Sequence, residues 1–103
     1  MKKITKEYLI NLMVENGLKA QETFSEDNSI PLNVKYELAD EFYHDGIVVY
    51  YYPINEKITI WSEVNNFRNP RITLIKQELN EKEIIKAVQK ALNEEIAYIK
   101  KNK

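Results

Sequence analysis

Hydrophobic residues recur at helical spacing close to the start of the chain. The apolar positions are Tyr8, Leu9, Ile10, Leu12, Met13 and Val14. This spacing predicts a helix over residues 4–16, with Thr5 as the candidate N-cap and Gly17 as the stop signal. Because the apolar arc is wider than one stripe, we expect this helix to be covered from more than one side, either by the sheet or by a partner.

The middle of the chain changes to a period of two, which is typical of β-strands. LNVKYEL alternates apolar and polar residues, and IVVYYY and KITIWSE are β-rich runs on either side of the sequence PINE, which predicts a hairpin. RITLIKQ predicts one more strand, whereas LKAQETF fits either a short strand or a continuation of the first helix. The predicted strands cover residues 32–38, 47–52, 57–63 and 71–77.

The last part of the chain returns to helical spacing up to about residue 100. Asn80 is the predicted N-cap, with Glu83 at the capping-box position. The apolar stripe consists of Ile84, Ile85, Val88, Leu92, Ile96 and Ile99. These patterns predict one α+β domain over residues 1–103, with an N-terminal helix, an antiparallel meander of three or four strands, and a C-terminal helix. Both helices are expected on one face of the sheet.

Three consecutive tyrosines occupy the first strand of the predicted hairpin, and neighbouring side chains in a strand point to opposite faces. With Asn55 and Glu56 at the centre of the turn, the predicted pairs are Tyr52 with Thr59, Tyr51 with Ile60, and Tyr50 with Trp61. The more aliphatic face, expected under the helices, holds Ile47, Val49, Tyr51, Ile58 and Ile60. The opposite, open face holds Val48, Tyr50, Tyr52, Thr59, Trp61 and Glu63.

A contiguous patch of tyrosine and tryptophan on an open sheet face is typical of the centre of a protein interface. Tyr50, Tyr52 and Trp61 are therefore candidate partner-binding residues. Cross-strand rings can also serve only to stabilise a thin sheet, or can be covered by a loop. Base stacking is a third use of such a face, but the sequence has no basic-aromatic run of the kind that RNA-binding sheets use.

The charges of the chain are distributed unevenly, although the formal net charge is only −1. The cationic excess lies in the lysines at the two ends, and residues 22–45 carry seven acidic residues against Lys35 alone. The negative charge of this segment would attract a basic protein partner and would repel the phosphate backbone of a nucleic acid. Equally, it could serve solubility alone. The acidic candidates for partner binding are Glu37, Asp40, Glu41 and Asp45.

Catalytic, metal and cofactor motifs are missing from the sequence. His44 is the only histidine and lies beside Asp45 in a predicted turn, without a recognisable nucleophile partner. The chain has no cysteine, which fits a reducing cytoplasm, and no segment that predicts a membrane span. Arg68 and Arg71 flank an Asn-Pro loop, where a solvated position is favoured over an anion site. We therefore expect a protein that is not an enzyme and needs no metal or cofactor.

The sequence thus predicts a small protein-binding module, with no family resemblance that its residues would support. The sharper hypothesis is an inhibitor or immunity-type protein from a phage or mobile element, since the abundance of Ile, Lys and Asn hints at an AT-rich genome. One alternative is a homo-oligomeric structural or accessory protein, for instance a homodimer. Another is a nucleic-acid-associated protein that uses the terminal lysines and the helix row Lys82, Lys86 and Lys90.

Overall fold

One antiparallel sheet of five strands forms the centre of the molecule, and a helix lies at each end of the chain. A computed structural model describes residues 4–22, 29–36, 47–62 and 68–101. A short 3₁₀ helix, Lys76–Glu78, precedes the last element. The elements are α1 (Lys6–Glu15), β1 (Leu18–Glu22), β2 (Ile30–Tyr36), β3 (Ile47–Tyr52), β4 (Lys57–Trp61), β5 (Ile72–Leu74) and α2 (Glu81–Lys101).

The strands form a meander in which each strand pairs with its neighbour in sequence, in the order β1-β2-β3-β4-β5. Every pairing is antiparallel. The predicted α+β class and its antiparallel sheet are confirmed. The segment 18–24, which the sequence left open, contributes strand β1, and the strand predicted over 71–77 is limited to Ile72–Leu74.

The two ends of α1 are fixed by local hydrogen bonds, as the sequence predicts. The Thr5 hydroxyl accepts a hydrogen bond from the Tyr8 N–H at 3.0 Å, so Thr5 is the N-cap. Gly17 has a φ of 77°, in the left-handed region that only glycine adopts readily, and its N–H donates to the Val14 carbonyl at 3.1 Å. This turn ends α1 and directs the chain into β1.

Helix α2 begins at the predicted cap. The Asn80 Oδ1 accepts from the Glu83 N–H at 3.0 Å, and the Asn80 carbonyl accepts from the Ile84 N–H at 2.9 Å. The predicted apolar stripe is buried as far as Leu92. Beyond it, Glu95 is buried with 1% of its surface exposed and Ile96 is partly exposed, so the buried side of the last turns differs from the predicted one.

Both helices pack against the same face of the sheet, as predicted, and together they form a single hydrophobic core. Its fully buried members come from α1, four strands and α2, and include Leu9, Met13, Leu32, Ile47, Ile58, Ile84 and Val88. The wide apolar arc of α1 is largely covered by this core, since Tyr8 and Ile10 pack against it. Val14 remains 57% exposed. Within the described residues, no helix is long and apolar enough to cross a membrane.

Candidate functional site on the open face of the sheet

The three tyrosines of β3 alternate between the two faces of the sheet. Tyr51 is 7% exposed and belongs to the core, opposite Ile58 of β4. Tyr50 and Tyr52 are partly exposed on the face that points away from the helices. Trp61 of β4 is partly exposed on that same face, which the helices do not cover. The predicted sorting of rings between the faces is therefore confirmed.

The predicted hairpin register is wrong by two residues. Tyr50 lies opposite Thr59, Tyr51 opposite Ile58, and Tyr52 opposite Lys57. The cause is the turn, which spans four residues, Pro53–Glu56, with Glu56 at a φ of 49°. A shift of two positions changes every cross-strand partner but keeps every side chain on its face, because the strand period is two.

Tyr50, Tyr52 and Trp61 form what we call the aromatic cluster. The rings of Tyr50 and Tyr52 stack with their centroids 6.1 Å apart and an angle of 23° between their planes. The indole of Trp61 meets the Tyr50 ring edge-on, at 6.5 Å and 80°. Both geometries are favourable for aromatic pairs and add about 0.5–1.5 kcal/mol each beyond area burial. The Tyr50 ring thus contacts both of the other rings.

The indole is held in place by its own strand. Its Nε1–H donates a hydrogen bond of 2.9 Å to the hydroxyl of Thr59, which is only 5% exposed. The polar atom of Trp61 is therefore already satisfied within the protein. What the indole offers to a partner is its apolar surface.

Pro31 is the neighbour of Tyr50 on the strand at its other side. Pro31 of β2 is buried, and it lies directly opposite Tyr50 in the register of β2 and β3. The pairing of β1 with β2 ends at Leu32, so the missing N–H of Pro31 removes no hydrogen bond from that ladder. Pro31 and Thr59 thus flank Tyr50 on the two adjacent strands.

Lys57 extends the aromatic cluster toward the hairpin turn. Its ammonium lies 5.1 Å from the centroid of the Tyr52 ring, which is a cation–π distance. The sequence reasoning missed this residue because the predicted register placed Thr59, rather than Lys57, opposite Tyr52. A four-residue turn over PINE would have identified it.

Two exposed isoleucines lie at the hairpin end of the sheet. Ile54, within the turn, is 81% exposed, and Ile75, just after β5, is 53% exposed. The Lys76 ammonium lies 3.3 Å from a Glu56 carboxylate oxygen, which ties the segment after β5 to the turn. Two apolar side chains are therefore exposed at the hairpin end of the sheet, beside charged residues of the turn.

The acidic half of the predicted site lies outside the described residues. This holds for Glu37, Asp40, Glu41 and Asp45, and for His44 beside them. Their role in partner binding stays a prediction.

A second surface feature is an open groove of about 900 Å³ between α1 and α2. Its floor contains Leu12 and Ile85. The predicted lysine row lies along it together with three carboxylates: Lys82, Lys86, Lys90, Glu15, Glu81 and Glu94. The groove therefore carries both charges in similar number, which suits solvent better than a phosphate backbone.

Groups with catalytic chemistry are sparse in the described part of the chain. It contains no cluster of three or more His, Asp or Glu residues that could hold a metal ion. Arg71 makes an ion pair of 2.6 Å with Glu94. Its guanidinium therefore points toward α2 and not toward a site for an anionic ligand. Burial raises the pKa of Tyr8 and of Tyr51 above 10.0, with smaller contributions from the Glu81 and Glu56 carboxylates respectively. Both phenols are thus weaker acids than usual.

Comparison with known proteins gave no match, whether among protein-family models, curated proteins or solved structures.

Proposed function

We propose that this chain is a non-catalytic protein-binding module and that the aromatic cluster is the centre of its contact surface. The supporting observation is that Tyr50, Tyr52 and Trp61 lie together on the sheet face opposite the helices, partly exposed and held by one another. Tyrosine and tryptophan are the residues that most often dominate binding energy in interfaces. Rings fixed in advance also lose little side-chain entropy when a partner covers them.

The exposed isoleucines favour a contact that reaches beyond the rings. Ile54, at the hairpin tip, is 81% exposed. Its apolar side chain contributes favourable burial energy only when another molecule covers it. Such a contact would follow the sheet from Trp61 toward the turn. An inhibitor or immunity-type protein, as the sequence suggests, needs a surface of this kind. The acidic residues at 37–45 would steer a basic partner toward it.

The experiment is capture of a partner from a host lysate, followed by titration of the identified partner against single variants by isothermal calorimetry. We expect Tyr50→Ala and Trp61→Ala to weaken binding by at least ten-fold, because truncated interface anchors typically cost 2 kcal/mol or more. Val14→Ala, which truncates an exposed apolar residue on α1, is the matched control and should bind as wild type does. If wild type and both ring variants bind the captured partner with equal affinity, the proposal is wrong.

Self-association is the second candidate, because the same exposed rings can meet those of another copy. Light scattering distinguishes the two functions. A dimer in wild type that becomes a monomer in Trp61→Ala would assign the aromatic cluster to a self-interface. A wild-type monomer that loses its captured partner on the same substitution would assign it to a different protein.

A further inference from the structure

The open face of the sheet differs in charge from the rest of the described molecule. Its described strand residues are Lys19, Gln21, Pro31, Val48, Tyr50, Tyr52, Lys57, Thr59, Trp61 and Thr73. Two of these are lysines and none is acidic. The described glutamate side chains lie instead on α1, α2, the hairpin turn and the 3₁₀ helix. Among the described side chains, this face therefore carries lysines and no carboxylate.

Lys57 is the cation that adjoins the aromatic cluster. Among the described residues, no carboxylate lies within ion-pair distance of its ammonium, whose partner is the ring of Tyr52. Its neighbour at the hairpin end, Lys76, is by contrast paired with Glu56. Lys57 is also only partly exposed, so an anion that docks beside it is screened less by water than at an open surface.

Resting on the proposed function, we propose that the partner contributes an acidic peptide segment to this face, with a carboxylate beside Lys57 and an apolar side chain against Tyr50 and Trp61. Charge complementarity selects the carboxylate. The Tyr50 ring and the indole that it meets edge-on favour an apolar side chain beside them. The Thr59 hydroxyl already satisfies the indole N–H, so the partner needs no acceptor at that point.

A single-stranded nucleic acid would also supply anions and planar groups, but the rings are poorly placed for it. A base stacks on an open ring face. The Tyr52 ring is already stacked on Tyr50 and carries the Lys57 ammonium 5.1 Å from its centroid. The negative charge of the chain outside its lysine-rich ends, with nine basic and sixteen acidic residues over 7–99, further disfavours a phosphate backbone.

This inference concerns the contact over the rings and not the net charge of the partner. A partner that is basic overall, as the acidic residues at 37–45 suggest, can still present one acidic segment. The two features have separate effects: charges at the rim change the association rate, whereas a carboxylate docked at Lys57 changes the dissociation rate.

The test is selection of peptides from a random phage-displayed library on the immobilised full chain, followed by titration of the selected peptides against wild type and each variant by isothermal calorimetry. We expect the selected sequences to share an Asp or Glu adjacent to an aromatic or aliphatic residue. Lys57→Gln should weaken their binding about two- to five-fold and reduce its salt dependence, as for a partly exposed ion pair. Lys82→Gln, an exposed lysine on α2, is the control and should change neither.

The other possible results would overturn the inference, alone or together with the proposed function. Peptides whose binding needs Trp61 but is unchanged in Lys57→Gln, or that are rich in Lys and Arg, would overturn the acidic segment and leave the proposed function standing. Selected peptides whose binding is unaffected by Trp61→Ala would overturn both. A nucleic acid is tested with a fifteen-nucleotide oligothymidylate. Salt-sensitive binding of this oligonucleotide would overturn the inference in favour of a nucleic acid if it is tighter than that of any selected peptide and is lost in Trp61→Ala.

Discussion

The indole N–H of Trp61 is bound by the hydroxyl of Thr59, two residues earlier on the same strand, at 2.9 Å. Residues i and i+2 lie on the same face of a strand, so this contact needs no turn or neighbouring element. It fixes the indole beside the Tyr50 ring, which meets it edge-on. One buried hydroxyl thus orients the largest side chain of the candidate site.

Thr59→Val is expected to loosen the indole, because valine has the shape of threonine but cannot accept the hydrogen bond. We expect a loss of about 0.5–1.5 kcal/mol in the free energy of unfolding, the usual net value of one hydrogen bond. The fluorescence anisotropy of Trp61 should fall at the same time. Thr73→Val is the matched control, since Thr73 lies directly opposite Thr59 on β5 and is exposed. Equal anisotropy in both variants would contradict the orienting role of Thr59.

Which ring enters the core could be predicted from the sequence, but which residue faces which could not. The face of each side chain depends only on the period of two, and so Tyr51 was correctly assigned to the core beside Val49 and Ile60. The cross-strand partners depend on the turn, and PINE allows either a two-residue or a four-residue connection. The left-handed conformation of Glu56, a non-glycine residue, decided the register and gave no signal in the sequence.

A matched pair of isoleucine truncations separates core from contact surface. Ile60 is fully buried and Ile54 is 81% exposed. We expect Ile60→Ala to lower the free energy of unfolding by about 2–5 kcal/mol, since it leaves a cavity. Ile54→Ala should change it by less than about 0.5 kcal/mol. Chemical denaturation of both variants measures the difference, and a similar cost for the two would mean that the hairpin tip is packed within the protein.

Gly17→Ala is expected to destabilise the protein through the backbone alone. A β-carbon at Gly17 would meet no atom within 4 Å, so there is space for it, but the φ of 77° is unfavourable for alanine. The expected cost is about 1–2 kcal/mol. Gly17→Asn should cost less, because asparagine tolerates this conformation. Thermal unfolding of the two variants checks the order, and an equal or larger loss for asparagine would contradict the conformational explanation.

The helices were easier to predict than the end of the sheet, for physical reasons. The capping residues Thr5 and Asn80 act within one turn, so their role is legible in a short stretch of sequence. The length of β5 depends instead on its pairing with β4, and RITLIKQ carries one more apolar residue, Ile75, past the last paired position, Leu74. Glu95 shows the same limit, because it occupies a buried position of α2 where the pattern favours an apolar residue.

The raised pKa of Tyr51 predicts a loss of stability in alkaline solution. Burial, and to a smaller extent the Glu56 carboxylate, raise this pKa above the unfolded value of 10.0, so the folded state favours the protonated phenol. The resulting stabilisation is complete below pH 10 and is lost as the pH rises past 10 through the folded pKa.

Tyr51→Phe keeps the ring but cannot ionise, so its unfolding free energy should fall less between pH 9 and about 11.5 than that of wild type. Tyr8, whose pKa is also raised, retains part of the slope, and adding Tyr8→Phe should flatten it further. Ile54→Ala, which truncates an exposed side chain that does not ionise, is the control and should follow wild type. Denaturant titrations at several pH values measure these slopes, and identical slopes for wild type and Tyr51→Phe would show that the middle tyrosine of the triplet does not ionise from a buried position.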